Sequence, residues 1–132
     1  RIHEMRFINV AGGFGNLIVG ENSYIGNDVM IDLASAVFIG DGSTIAPGVL
    51  ILSHFDAGEY LGSVLCKVYP TKKESVRIGN SVFIGARSII LQGVTISDNV
   101  IIGAGSVVTK DIESNKLAVG VPVRVVKDLL ES

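Results

Sequence analysis

His54 is the residue best suited to moving a proton. An imidazole exchanges protons near neutral pH. One such side chain can take a proton from an attacking hydroxyl and later return it to a leaving group. His54 closes the segment ILSH, and no other His falls in the patterned part of the chain; His3 stands in an unpatterned N-terminal stretch. Two imidazoles cannot make a three-His zinc site, so no metal is expected. Asp56, two residues on, could orient the ring, and a backbone carbonyl would serve as well. Cys66 is the only cysteine. It lacks a second His to activate it as a nucleophile and reads as a surface thiol. A single Cys also excludes an internal disulfide and suits a reducing compartment. Tyr60 and Tyr69 could line an acceptor site, but read more simply as residues that pin a loop by packing. Lys72, Lys73 and Glu74 read as a solvated turn. Lys110 and Arg124 are candidates for phosphate contacts.

These residues are positioned by a repeat. At six-residue spacing the chain shows Val19, Ile25, Ile31, then, after a skip of two, Ile39, Ile45, Ile51. After a longer gap the frame runs through Ile78, Ile84, Ile90, Ile96, Ile102 and Val108. Two residues before each anchor stands Leu, Val or Ser, from Leu17 to Ser106. Positions i−2 and i of a strand share a face, so each hexad sends an aliphatic and a smaller residue inward. The residue after the anchor runs Gly20, Gly26, Asp32, Gly40, Ala46, Leu52, Gly79, Gly85, Leu91, Ser97, Gly103, Thr109. Two small residues and one larger one recur every eighteen, as in a coil with three flat sides and three corners. Short parallel strands stacked in this way form a parallel β-helix. A β-sandwich, with turns every 8–12 residues, has no such fixed phase. The coils span about 17–54 and 76–112, and an extruded loop occupies 55–75. The C-terminal segment 113–132 caps a single domain, its tail Val125–Ser132 forming a helical turn. Loops as long as 55–75 are usually functional. GGFG at Gly12–Gly15 lacks the spacing and the Lys of a phosphate loop and reads as a lead-in turn.

Composition agrees. The 132 residues are 48% hydrophobic, 18% charged and only 6% aromatic, and Trp is absent. That excludes a disordered tail and suits a narrow prism of β-branched side chains. No apolar run approaches the ~20 residues of a membrane helix, and no signal peptide is visible, so a cytoplasmic protein without membrane insertion is expected. The net charge of −2 is uneven: residues 7–66 contain no Lys or Arg and six acids, whereas 67–132 hold nine bases against six acids. This is no nucleic-acid footprint. It leaves a basic C-terminal half suited to a phosphorylated ligand.

The stretch IGNSVFIGARSIILQGVTISDNVIIGAGSVVTKDI (Ile78–Ile112), the block GVPVRVVK (Gly120–Lys127) and the His before a loop resemble the hexapeptide-repeat acyltransferases, most of all their acetyl-CoA-dependent sugar O-acetyltransferases. The resemblance implies an all-β, left-handed parallel β-helix. It implies a homotrimer with sites between neighbouring prisms, each loop reaching the adjacent subunit. It implies transfer of an acetyl group from acetyl-CoA directly to a saccharide hydroxyl, with His54 as general base. Phe83, Ala86 and Ala104 match positions along the pantetheine arm; Thr109, Lys110 and Arg124 match positions near the adenosine and phosphate end. Where galactoside- and maltose-type members carry an Asn beside the substrate, this chain has Gly26. N-acetyl transfer to an aminosugar or sugar nucleotide, and a non-catalytic β-helix scaffold, are the alternatives.

Overall fold

The computed structural model describes Ile2, residues 5–8 and residues 14–130. His3, Gly12 and Gly13 of the GGFG segment, and positions 131–132 of the tail lie outside the described residues. Strand β1 (Met5–Ile8) and a 3-10 turn at Phe14–Asn16 precede four coils. The first coil comprises β2 (Leu17–Val19), β3 (Tyr24–Ile25) and β4 (Val29–Asp32); the second β5 (Val37–Ile39), β6 (Thr44–Ile45) and β7 (Leu50–Ile51). An arm follows, with β8 (His54–Phe55), a 3-10 turn at Glu59–Leu61, the helix α1 (Leu65–Val68) and β9 (Lys72–Lys73). The third coil is β10 (Val76–Ile78), β11 (Phe83–Ile84) and β12 (Ile89–Ile90). The fourth is β13 (Thr95–Ile96), β14 (Ile101–Ile102) and β15 (Val107–Val108), and β16 (Lys116–Val119) and β17 (Arg124–Asp128) end the fold.

The strands stack into three walls of a triangular prism, a left-handed parallel β-helix. We call these walls A (β3, β6, β11, β14, β16, β17), B (β1, β4, β7, β12, β15) and C (β2, β5, β10, β13). Pairing is parallel and in hexad register: Ile31 lies beside Ile51, Ile51 beside Ile90, and Ile90 beside Val108. Every anchor except the half-buried Val19 is buried. Each such Ile or Val stabilises by about 1.5–3 kcal/mol relative to exposure. The buried serines of the frame satisfy their hydroxyls on the backbone of neighbouring coils: Ser43 Oγ donates to Gly79 O (2.7 Å) and accepts from Val82 N–H (3.1 Å).

The corner glycines have a specific cause. Between walls C and A, the side chains of Asp41, Asn80 and Asp98 form a ladder in which each oxygen accepts the N–H one coil below, from Glu21 (2.8 Å), Asp41 (2.8 Å) and Asn80 (2.7 Å). A Cβ at Gly20, Gly40 or Gly79 would collide with these oxygens.

The cap differs from the expected helical turn. Arg124–Asp128 is a strand, antiparallel to β16, and the two form a hairpin that closes the end of wall A. RVVKD is rich in β-branched residues, and pairing satisfies a sheet edge that a helical turn would leave open. Lys116 and Asp128 bridge the hairpin at 2.9 Å, and the ammonium holds the Asp128 carboxyl below its ordinary range. Among the described residues no helix is long and apolar enough to cross a membrane.

Candidate active site

At the corner between walls B and C the anchors are followed by Asp32, Leu52, Leu91 and Thr109. Two of these four are leucines, and Asp32 is an acid with no accessible surface. Its carboxylate is fully engaged. Oδ1 accepts from Ala34 N–H (3.0 Å); Oδ2 accepts from Ser53 N–H (3.0 Å) and is in close hydrogen-bond contact with His54 Nδ1. The Ser53 hydroxyl donates to the Asp32 carbonyl (2.7 Å) and accepts from Ser35 N–H (3.0 Å), which locks the corner of one coil to the next. An ionised carboxylate only accepts, so Nδ1 carries the proton and Nε2 presents a lone pair. The His54 side chain retains 26% of its surface, enough for a reactant to reach it.

Asp32 therefore orients the ring, a role the sequence alone left between Asp56 and a backbone carbonyl. Asp56 instead caps the arm, accepting from Gly58 N–H (2.8 Å) and Glu59 N–H (2.9 Å). These bonds, Glu59 first, pull its carboxyl below the ordinary range. Asp32 was detectable in the sequence as the one acid at a corner otherwise held by Leu52, Leu91 and Thr109, one coil before the His.

The arm is more ordered than a plain loop. β8 and β9 pair antiparallel, His54 opposite Lys73 and Phe55 opposite Lys72. Alternation puts Phe55 and Lys72 on the face away from His54, where they help line a cleft of about 360 Å³. Tyr60 is 98% exposed and Tyr69 62%, so neither pins the loop within the chain, contrary to expectation. Cys66 is half-buried on the arm, and burial pushes its pKa up, the reverse of an activated nucleophile.

The residues expected along an extended donor are spread over one face, two edges and the cap of the prism. Ala86 and Ala104 are stacked at the corner between walls A and B, where Ala86 O accepts from Gly105 N–H (2.9 Å). A Cβ at Gly85 would meet the Ala104 backbone, so the column is closely packed. Phe83 is 43% exposed on the outer face of wall A beside Thr44 and Ile101. Thr109 and Lys110 are exposed at the corner between B and C in the last coil. Arg124 is exposed where the cap turns back; its neighbour Val123 N–H donates to Val107 O (3.0 Å), so this end of the prism collects the cations. One chain thus separates His54 from Ala86 and Ala104 by the width of wall B. A cleft of about 610 Å³ lies over wall C and contains none of these residues. Among the described residues no cluster of three or more metal-ligating side chains occurs.

The family model described as "Hexapeptide repeat of succinyl-transferase" matches residues 16–53 and 75–110. Galactoside O-acetyltransferase of Escherichia coli (strain K12) is 40% identical over 114 residues, covering 86% of this chain and 55% of that protein. A maltose O-acetyltransferase from Clostridium difficile 630 superposes with a TM-score of 0.83 at 37% identity, over 98% of this chain and 66% of that one. A galactoside acetyltransferase in complex with coenzyme A superposes with a TM-score of 0.81 at 35% identity, over 95% of this chain and 59% of that one. The chain spans less than two thirds of each of these relatives.

Proposed function

We propose that this chain, which belongs to the hexapeptide-repeat transferase family, is an acetyl-CoA-dependent O-acetyltransferase that acetylates a saccharide hydroxyl. The observation that carries this reading is the hydrogen-bonded pair of buried Asp32 and half-exposed His54 at the root of the arm. Its similarity to galactoside and maltose O-acetyltransferases supports the substrate class.

In this mechanism Nε2 of His54 takes the proton of the acceptor hydroxyl as its oxygen attacks the thioester carbonyl. Asp32 holds the ring in the tautomer that leaves Nε2 free and stabilises the imidazolium that forms. The imidazolium then gives its proton to the departing thiolate. Direct transfer needs no acyl-enzyme, in keeping with the raised pKa of Cys66. The closely packed Ala86 and Ala104 column suits a narrow pantetheine arm beside Phe83. Thr109, Lys110 and Arg124 suit phosphates at the far end.

We infer a homotrimer in a cytoplasmic setting. The outer column of wall B is Met30, Leu50, Ile89 and Val107, all apolar and half-exposed in one chain. Packing copies through this wall would bring the His54 corner of one prism to the Ala86 corner of the next. The arm carries Tyr60, Leu61, Val64 and Val68 as exposed side chains, which suits a reach across the same junction. Calorimetric titration with acetyl-CoA, followed by thiol release with methyl galactoside or maltose, tests the function. Saturable binding near one site per chain and acceptor-dependent release are expected; absence of binding at millimolar donor would overturn it.

A further inference from the structure

At the corner between walls A and B the third residue after each anchor adopts a left-handed backbone. The column is Asp28 (φ 59°), Gly48 (φ 77°), Arg87 (φ 59°) and Gly105 (φ 71°). Each N–H above the first coil donates to a carbonyl one coil below: Gly48 to Asn27 (3.0 Å), Arg87 to Pro47 (3.0 Å) and Gly105 to Ala86 (2.9 Å). Glycine is the natural occupant, and Asn, Asp and Ser fill the other non-glycine left-handed positions among the described residues. Arg87 is the only long side chain among them. A glycine there would fold with less strain, so the fold does not explain the guanidinium.

The side chain has a defined course. Its Cγ lies against Gly48, so close that a Cβ there would stand 3.0 Å away. Arg87 therefore leans from the third coil over the second, the coil that ends in His54. It lines a cleft of about 270 Å³ with Asp28, Pro47, Gly48 and Ala86. Among the described residues neither the Arg87 guanidinium nor the Asp28 carboxylate has a hydrogen-bond or ion-pair partner.

We propose that Arg87 and Asp28 form the acceptor-recognition rim, gripping a vicinal diol of a neutral saccharide. The planar guanidinium donates two parallel N–H bonds to adjacent hydroxyl oxygens, and the carboxylate accepts from a hydroxyl on the other side of the ring. The donor's phosphates have other cations suited to them, Lys110 and Arg124 at the level of the last coil and its cap, whereas Arg87 leans the other way, over the second coil. An anionic acceptor is disfavoured by Asp28 in the same cleft. The inference rests on acetyl transfer between copies packed through wall B, which brings this rim to the neighbour's His54.

The test is steady-state kinetics of the full chain with acetyl-CoA and methyl galactoside, its monodeoxy analogues and methyl galacturonate, for wild type, Arg87→Gly and Arg87→Lys. Arg87→Gly should raise the KM for methyl galactoside at least about tenfold and leave the KM for acetyl-CoA within about twofold. Its Tm should be unchanged or higher, since the left-handed strain is relieved; a merely structural Arg would move Tm the other way. Arg87→Lys should recover little, because an ammonium cannot make the forked contact. One deoxy analogue should be penalised in wild type but not in Arg87→Gly. An unchanged acceptor KM, a raised acetyl-CoA KM, or a wild-type preference for the galacturonate would overturn the proposal alone. Wild-type binding of acetyl-CoA without turnover of any glycoside would overturn the saccharide reading and this inference with it.

Discussion

Asp32 and His54 are joined by a hydrogen bond, and under the proposed mechanism their variants separate chemistry from binding. His54→Ala should lower kcat by at least ~10²-fold with little change in acetyl-CoA affinity, measured by thiol release and calorimetry. Asp32→Asn keeps the shape but can turn its amide NH₂ toward Nδ1, which then accepts and leaves the proton on Nε2. It should lower kcat by roughly 10–10³-fold with KM nearly constant, and activity should recover as the orienting carboxylate is restored. Asp32→Ala strands the N–H groups of Ala34 and Ser53 at a buried corner. It should lose about 1–3 kcal/mol of stability as well as activity, read by denaturant unfolding. Near-normal turnover in His54→Ala would remove His54 as the base.

At the scale of elements, the proposed function rests on the arm and the corners. Asp56 ties the outgoing arm to its own turn through Gly58 and Glu59. Its folded pKa is below its ordinary value of 3.8, so the stabilisation is present above that value and fades as pH falls through the lowered one. Amide exchange at Gly58 and Glu59 should therefore quicken below about pH 4 while exchange in the coils stays slow; equal loosening of arm and coils would contradict this. Deleting Tyr60–Thr71 should spare the coils, seen as retained strand circular dichroism, and abolish turnover. The corners are less forgiving. At Gly85 a Cβ meets the Ala104 backbone, which cannot rotate away. Gly85→Ala should cost about 1–3 kcal/mol in unfolding free energy, unlike a change on an exposed outer face.

At the scale of the whole molecule, the inner and outer faces of the same walls predict opposite failures. Ile84 and Ile102 are fully buried, and aspartate at either should unfold the prism, because it buries an unpaired charge. Ile89 points out of wall B, and Ile89→Asp should leave a folded chain that sediments as a single copy and has lost activity. A folded, active trimer would contradict the assembly through this wall. The repeat was legible because its cause is local: a strand must alternate, and a narrow prism accepts only Ile, Val or small residues inside. The His54 position and the extent of the arm were legible for the same reason, as interruptions of a strict frame. The partner of His54 was not, because Asp32 stands 22 residues away and only stacking of one coil on the next brings the two side chains together. Nor was Arg87, since its meaning lies in a left-handed backbone and a cleft shared with Asp28. The cap as a hairpin and the apolar outer column of wall B also required the fold. The sequence by itself determined the period, the inward frame and the chemistry available. Tertiary structure decided which residues meet, because contacts between coils depend on register and not on neighbourhood along the chain.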